Sequence, residues 1–126
     1  NLDSEDEGEI FIGCAGGIDL TAWIGFAKAG PPAGSEAYEV AVTGLRGGHS
    51  GDDIHKGYGN ANKILNRILR AGLEQFHLRI HHLEGGNLRN AIAREARAVI
   101  TIPKDQGIEW QTLLEKFRKD LKRELP

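Results

Sequence analysis

The apolar periodicity of this 126-residue chain switches twice from a repeat of two to a repeat of about 3.6, each time from a strand pattern into a helix pattern. Over residues 36–43, Tyr38, Val40 and Val42 fall on one face and Glu39, Ala41 and Thr43 on the other, as a half-buried strand requires. Residues 54–71 then read as a helix, with Ile64 and Ile68 in one i,i+4 row and Ala61, Leu65, Leu69 and Leu73 in the next. Asp52 or Asp53 can cap its start, and Gly72 stands where a helix end takes a left-handed residue. Phe76, Leu78 and Ile80 alternate with His77, Arg79 and His81 in a second strand whose phase breaks at His81-His82. After a turn at Gly85-Gly86-Asn87, residues 91–102 form a third strand with Ala96, Ala98, Ile100 and Ile102 on one side, ended by Pro103. Trp110, Leu113, Leu114, Phe117 and Leu121 make the apolar stripe of a second helix, opposite Lys116, Lys119 and Lys122.

The resulting order is β-α-β-β-α. It predicts an α+β domain of the ferredoxin-like, split β-α-β kind, with two helices on one face of a mostly antiparallel sheet and its last strand missing. Upstream, residues 10–13 read as a short strand, and residues 18–28, ambiguous in pattern, are assigned to a strand as well. Trp110, Phe117 and the leucine rows are the expected core.

Sixteen Lys and Arg interleave with eighteen Asp and Glu for a formal charge of −2, so no basic stripe exists to follow a phosphate backbone and nucleic acid is excluded as an expected partner. Apolar runs are short and broken by Gly or charge, so no membrane span is expected. The single cysteine, Cys14, cannot form an internal disulfide, and the cytoplasm is the default location. The chain starts at Asn1 in an acidic run and closes on an amphipathic helix at Pro126, which reads as a piece of a longer protein.

Three places carry chemistry. Gly44, Gly47, Gly48 and Gly51 surround His49, and repeated glycine costs chain entropy that a plain turn seldom needs, but the glycines alone leave two readings: His49 faces a substrate, or it is incidental to a flexible hairpin tip. Asp3 sits among small and acidic residues that suit a cation, although a solvated acidic loop has the same composition. The run from Gly85 to Ala96 concentrates Arg89, Asn90 and Arg94 in a turn entering a strand. There Asn90 can orient a peptide or carboxylate group, or bond only its own backbone. No zinc-helix, Cys-x-x-Cys, dinucleotide or phosphate-loop motif is present, and the neighbours His81 and His82 point to opposite sides of a strand, as surface residues.

At these places the sequence resembles the zinc-dependent aminoacyl-histidine dipeptidases, also called cytosolic non-specific dipeptidases or peptidase D. The resemblance covers nearly the whole chain. It rests on Asn1-Leu2-Asp3-Ser4-Glu5, Ile12-Gly13-Cys14-Ala15-Gly16-Gly17-Ile18-Asp19, Gly44 to Gly51 with Asp53-Ile54-His55, Gly59-Asn60-Ala61-Asn62-Lys63, and Leu88-Arg89-Asn90-Ala91-Ile92. It implies a two-zinc peptidase domain interrupted by a lid or dimerisation domain, with residues 1–9 ending a peptidase-domain strand and 10–126 forming the lid. Asp3 then matches a zinc ligand. His49 matches the lid histidine that reaches the other subunit's active site in a homodimer and stabilises the tetrahedral oxyanion. Asn90 matches a substrate-binding asparagine. Ala93 replaces that motif's proline, and Pro103 stands where many relatives hold a carboxylate-binding arginine, which leaves that charge to Arg89, Arg94 or a residue beyond Pro126. The expected substrate is a dipeptide such as Xaa-His. The two zinc ions would belong to the parent enzyme, with this chain alone inactive and unable to hold them. From a different class, the competing expectation is a non-catalytic ferredoxin-like module for dimerisation or small-ligand binding, which upstream His-x-Asp and Glu-Glu motifs would exclude.

Overall fold

Strand Ala96–Pro103 alternates buried and accessible residues along its whole length, the signature of a central strand with one covered face. The computed structural model describes residues 7–10, 12, 13 and 16–125. In chain order the elements are β1 (Ser35–Val42), α1 (Ala61–Phe76), β2 (Arg79–Gly85), β3 (Ala96–Pro103) and α2 (Gly107–Glu124), with short 3-10 turns at Ile54–Lys56 and Lys104–Gln106. The sheet order is β1-β3-β2, and both pairings are antiparallel. Helix α1 therefore carries the chain from one edge of the sheet to the other, over the strand inserted between them. This is the expected split β-α-β unit, and the second edge of β1 stands where a fourth strand would pair.

Register explains the core. Val40 lies opposite Ala98 and Tyr38 opposite Ile100 on the covered face, whereas Ile80, also opposite Ile100, stays 45% exposed on a β2 that is exposed along its whole length. Ala61, Ile64, Leu65, Ile68, Leu69 and Phe76 of α1 and Trp110 of α2 close over that face in a single cluster, with Phe117 and Leu121 packed at its margin. Trp110 is fully buried and meets Phe76 edge-on, with ring centroids 5.7 Å apart. Such a contact contributes about 0.5–1.5 kcal/mol beyond the buried area. Helix α2 is also tied to α1 through the two-pronged Arg67–Glu124 pair at 2.7 and 2.9 Å.

Several boundaries differ from expectation. Helix α1 starts at Ala61, not at 54, because Gly57 turns left-handed (φ 70°) and stops the 3-10 turn at Ile54–Lys56. Its cap is neither Asp52 nor Asp53 but Asn60, whose side chain accepts from the N–H groups of Asn62 and Lys63. Gly72 lies inside the helix and is buried. A Cβ there would stand 2.5 Å from Leu78 Cδ1 and 3.1 Å from Trp110 Cζ3, so the missing side chain admits the indole. His77 (φ 50°) ends the helix instead, which puts Phe76 in α1 and delays β2 to Arg79. The phase break at His81-His82 is real, and appears as a register shift between Ile80 and His82.

The described residues of 10–13 and 18–28 form no strand. Ile18, Leu20, Trp23, Ile24 and Phe26 are each at least 79% exposed, and no sheet edge of the described residues takes them. A strand needs a partner for its backbone groups, and apolar composition does not supply one.

Candidate functional site

The link between β1 and α1 folds back onto the approach to β3. His49 and Ala91 form an antiparallel bridge, flanked by Ser50 N–H donating to the Asn90 carbonyl at 2.9 Å and Ile92 N–H donating to the Gly48 carbonyl at 2.8 Å. This clasp explains why the expected strand at 91–102 starts regular pairing only at Ala96: residues 90–92 are bonded to the loop instead of to a sheet neighbour. It also brings together two of the three places singled out in the sequence, His49 and the Arg89–Asn90–Arg94 run.

Two glycines make the approach possible. Gly47 has φ 72°, and a Cβ on it would lie 2.5 and 2.7 Å from Arg94 Cγ and Cδ. The Arg94 side chain thus lies across the loop, where its Nε–H donates to the Leu45 carbonyl at 3.1 Å. Gly48 has φ 152°, and a Cβ there would be 2.8 Å from both Cβ and Oδ2 of Asp53. Any side chain at either position displaces the residue that braces the loop.

The imidazole is oriented by the backbone. Gly51 N–H and Asp52 N–H donate to His49 Nδ1 at 3.1 and 3.3 Å. Asp52 Oδ2 also lies 3.5 Å from Nδ1, but the two N–H groups are nearer, and an Nδ1 that accepts from them favours the neutral Nε2–H tautomer, which offers that N–H as a donor. The side chain is 51% exposed. Behind it, Asp53 Oδ2 accepts from His49 N–H at 2.7 Å, Asp53 N–H donates to the His49 carbonyl at 3.1 Å, and Lys56 Nζ reaches Asp53 Oδ1 at 2.6 Å. The Lys56 ammonium, then the His49 N–H, hold the Asp53 carboxyl below its ordinary range, and the same contact raises Lys56. Arg46 stacks over the Tyr58 ring, 4.4 Å from its centroid, on the way to α1.

Asn90 is exposed and gives its backbone carbonyl to the clasp. Arg89 is 82% exposed and pairs with Asp19 at 3.1 Å. A shallow cleft of about 800 Å³ adjoins the clasp, lined in part by Gly48, Asn87, Leu88, Ala91 and Arg94. His81 and His82 are exposed on β2, as expected, with His82 Nε2 at 3.3 Å from Glu84. Asp3 and Cys14 lie outside the described residues. Among the described residues no three or more His, Cys, Asp or Glu side chains converge as a metal site, so these residues do not by themselves fit a zinc centre. The sequence expectation for Asp53 is a helix cap; it braces His49 instead, at the four-residue spacing that allows the bond.

Residues 34–126 match the family described as the peptidase dimerisation domain. Over 125 residues, 99% of its length, the chain is 47% identical to the cytosol non-specific dipeptidase of Escherichia coli (strain K12), and it spans 26% of that protein. The solved structure of aminoacylhistidine dipeptidase from Vibrio alginolyticus aligns with a TM-score of 0.70 at 40% identity, covering 73% of this chain and 19% of that one. The matched span holds the whole sheet, both helices and the clasped loop, and the chain belongs to the peptidase dimerisation domain family.

Proposed function

We propose that this chain is the lid and dimerisation segment of a two-zinc dipeptidase, and that His49 acts on the substrate bound to a partner subunit. The observation that carries the proposal is the His49 ring: Nδ1 is occupied by two backbone N–H groups, which reserves Nε2–H as a fixed donor on an exposed loop. A donor of this kind stabilises the oxyanion that develops as the peptide carbonyl becomes tetrahedral. Asn90, bonded to the same loop through its carbonyl, orients the peptide or carboxylate group. Arg89, Arg94 or a residue beyond Pro126 supplies the positive charge for the substrate carboxylate. With Nε of Arg94 engaged by Leu45, its terminal nitrogens are the ones left for a ligand.

In this proposal residues 1–9 end a peptidase-domain strand and 10–126 form the lid, whose packed core starts at β1. Two copies pair through the lid in the cytoplasm, where the name of the Escherichia coli relative puts that protein; no helix of the described residues is long and apolar enough to cross a membrane. Zinc, when bound, would polarise the scissile carbonyl and activate water. Its ligands would come from the peptidase domain, with Asp3 as this chain's contribution.

The test uses the full-length protein carrying this segment. His49→Ala should lower kcat by about a hundredfold to a thousandfold with KM and zinc content little changed. Subunits with His49→Ala, mixed with subunits lacking the general-base glutamate, should regain part of the activity, because one site of the mixed dimer is intact. Once subunit exchange is demonstrated by mass spectrometry, absence of recovery assigns His49 to its own subunit. An unchanged kcat for His49→Ala removes it from the chemistry.

A further inference from the structure

We infer that Asp53 is the positioning residue of the His49 site: it grips the backbone of His49 from both sides, and thereby holds the turn whose N–H groups select the tautomer of the ring. The inference rests on His49 acting as the donor proposed above. Asp53 accepts from His49 N–H through Oδ2 (2.7 Å) and donates its own N–H to the His49 carbonyl (3.1 Å), so residues 49–53 close on themselves. Gly51 and Asp52, the residues whose N–H groups meet Nδ1, lie inside that closed segment. The other carboxylate oxygen is anchored by Lys56 at 2.6 Å, in the 3-10 turn that leads towards α1. Asp53 also fills the space over Gly48, the residue whose carbonyl receives Ile92 N–H in the clasp. One carboxylate therefore couples the ring, the clasp and the route to α1. Its side chain is only 22% exposed, unlike that of Asp52 at 89%.

Asp53 touches no reacting group in this arrangement. Its loss frees the turn, the two N–H groups stop converging on Nδ1, and the proton distributes between the two ring nitrogens. The Nε2–H donor is then present only part of the time and points less consistently, which weakens the transition state more than substrate binding.

Two measurements test this. In the 126-residue chain, long-range proton–nitrogen NMR correlations read which nitrogen of each of the five histidines is protonated. Unmodified His49 should show the Nε2–H tautomer. Asp53→Ala should shift it to an exchanging mixture while His77, His81 and His82, outside the loop, keep their signals, and Asp53→Asn, which keeps an acceptor for His49 N–H, should restore most of the Nε2–H form. Lys56→Met removes only the outer anchor from an exposed position, so it should shift the tautomer in the same direction by less, and it gives the result should Asp53→Ala fail to fold.

In the full-length protein, Asp53→Ala should lower kcat by about tenfold to a hundredfold with KM nearly constant. Added to His49→Ala it should cost little more, since both act through one donor. Unaltered tautomer in Asp53→Ala and in Lys56→Met overturns the inference, as does an Asp53→Ala loss of kcat that is undiminished in the His49→Ala background. If His49→Ala leaves kcat unchanged, the donor role fails instead, and the tautomer measurement still decides whether Asp53 orients the ring.

Discussion

Around Trp110 the structure is held by area, and around His49 it is held by direction. The indole is fully buried against Phe76 and Leu78, over a glycine that leaves it room, and its surroundings are almost wholly apolar. The His49 loop has its ring half exposed, and its shape comes from individual donors and acceptors: two N–H groups on Nδ1, a carboxylate on the His49 backbone, and two bonds to residues 90–92. Burial scales with area and has no preferred direction, whereas a hydrogen bond is lost when its geometry goes. With His49 in its proposed role, the difference predicts that stability and chemistry are separable in this domain. Substitutions in the core should change how much protein is folded, and substitutions in the loop should change what the folded protein does.

The largest expected effect lies in the core. Trp110→Ala should destabilise the domain by about 3–5 kcal/mol, the usual cost of emptying a large aromatic site. Urea unfolding followed by circular dichroism measures it. In the fraction still folded, the Nε2–H tautomer of His49 should be unchanged; a shifted tautomer would break the separation. The next effect lies in the loop. Gly48→Ala puts a Cβ against Asp53 at a backbone conformation that costs about 1–3 kcal/mol for other residues, and the loop should relax locally by giving up its bonds. The expected result is a fall in kcat of the full-length protein, with a midpoint of global unfolding of the 126-residue chain close to that of the unmodified one. A loss of stability matching that of Trp110→Ala would show that the loop is part of the core's cooperative unit.

The smallest effect is in acid. Arg67 holds the Glu124 carboxyl below its ordinary range, and Lys56 does the same for Asp53. A carboxyl whose folded pKa lies below its unfolded value stabilises the fold above the unfolded value, and loses that contribution as pH falls through the folded one. Stability should therefore decline from about pH 4 downward. Glu124→Gln should flatten that decline slightly in global unfolding, because the pair is about half exposed and screened by water. Asp53→Asn should flatten it less, because Asp53 braces the loop and not the core. Equal flattening by the two variants would remove the distinction between the regions.

The core was the more legible of the two in the amino-acid sequence. Val40, Val42, Ala98, Ile100 and Ile102 announce their face by strict alternation, and the α1 rows do so by i,i+4 spacing, because burial acts on the whole pattern at once. Element ends were less legible. Gly72 has the composition of a helix terminus, and only the facing Trp110 and Leu78 reveal it as a packing position. In the loop, His49 stood out through its glycines, but its partners did not. Asp53 resembles a helix cap until the left-handed Gly57 is seen to separate it from α1, and the bond between residues 48 and 92 joins segments that no local pattern relates. Segment 18–28 shows the converse error, since apolar residues suggested a strand where the described residues offer no partner.

The chain's two tryptophans stand at opposite extremes, Trp23 at 92% exposure and Trp110 at none. In this folded chain one fluorophore therefore emits from water and the other from an apolar core. Iodide should quench the red-edge emission of Trp23 and spare the blue-edge emission of Trp110, so a single spectrum separates the segment before β1 from the core. A red shift on denaturation then reports α2 leaving the sheet, and that optical signal comes from the native sequence without an added label.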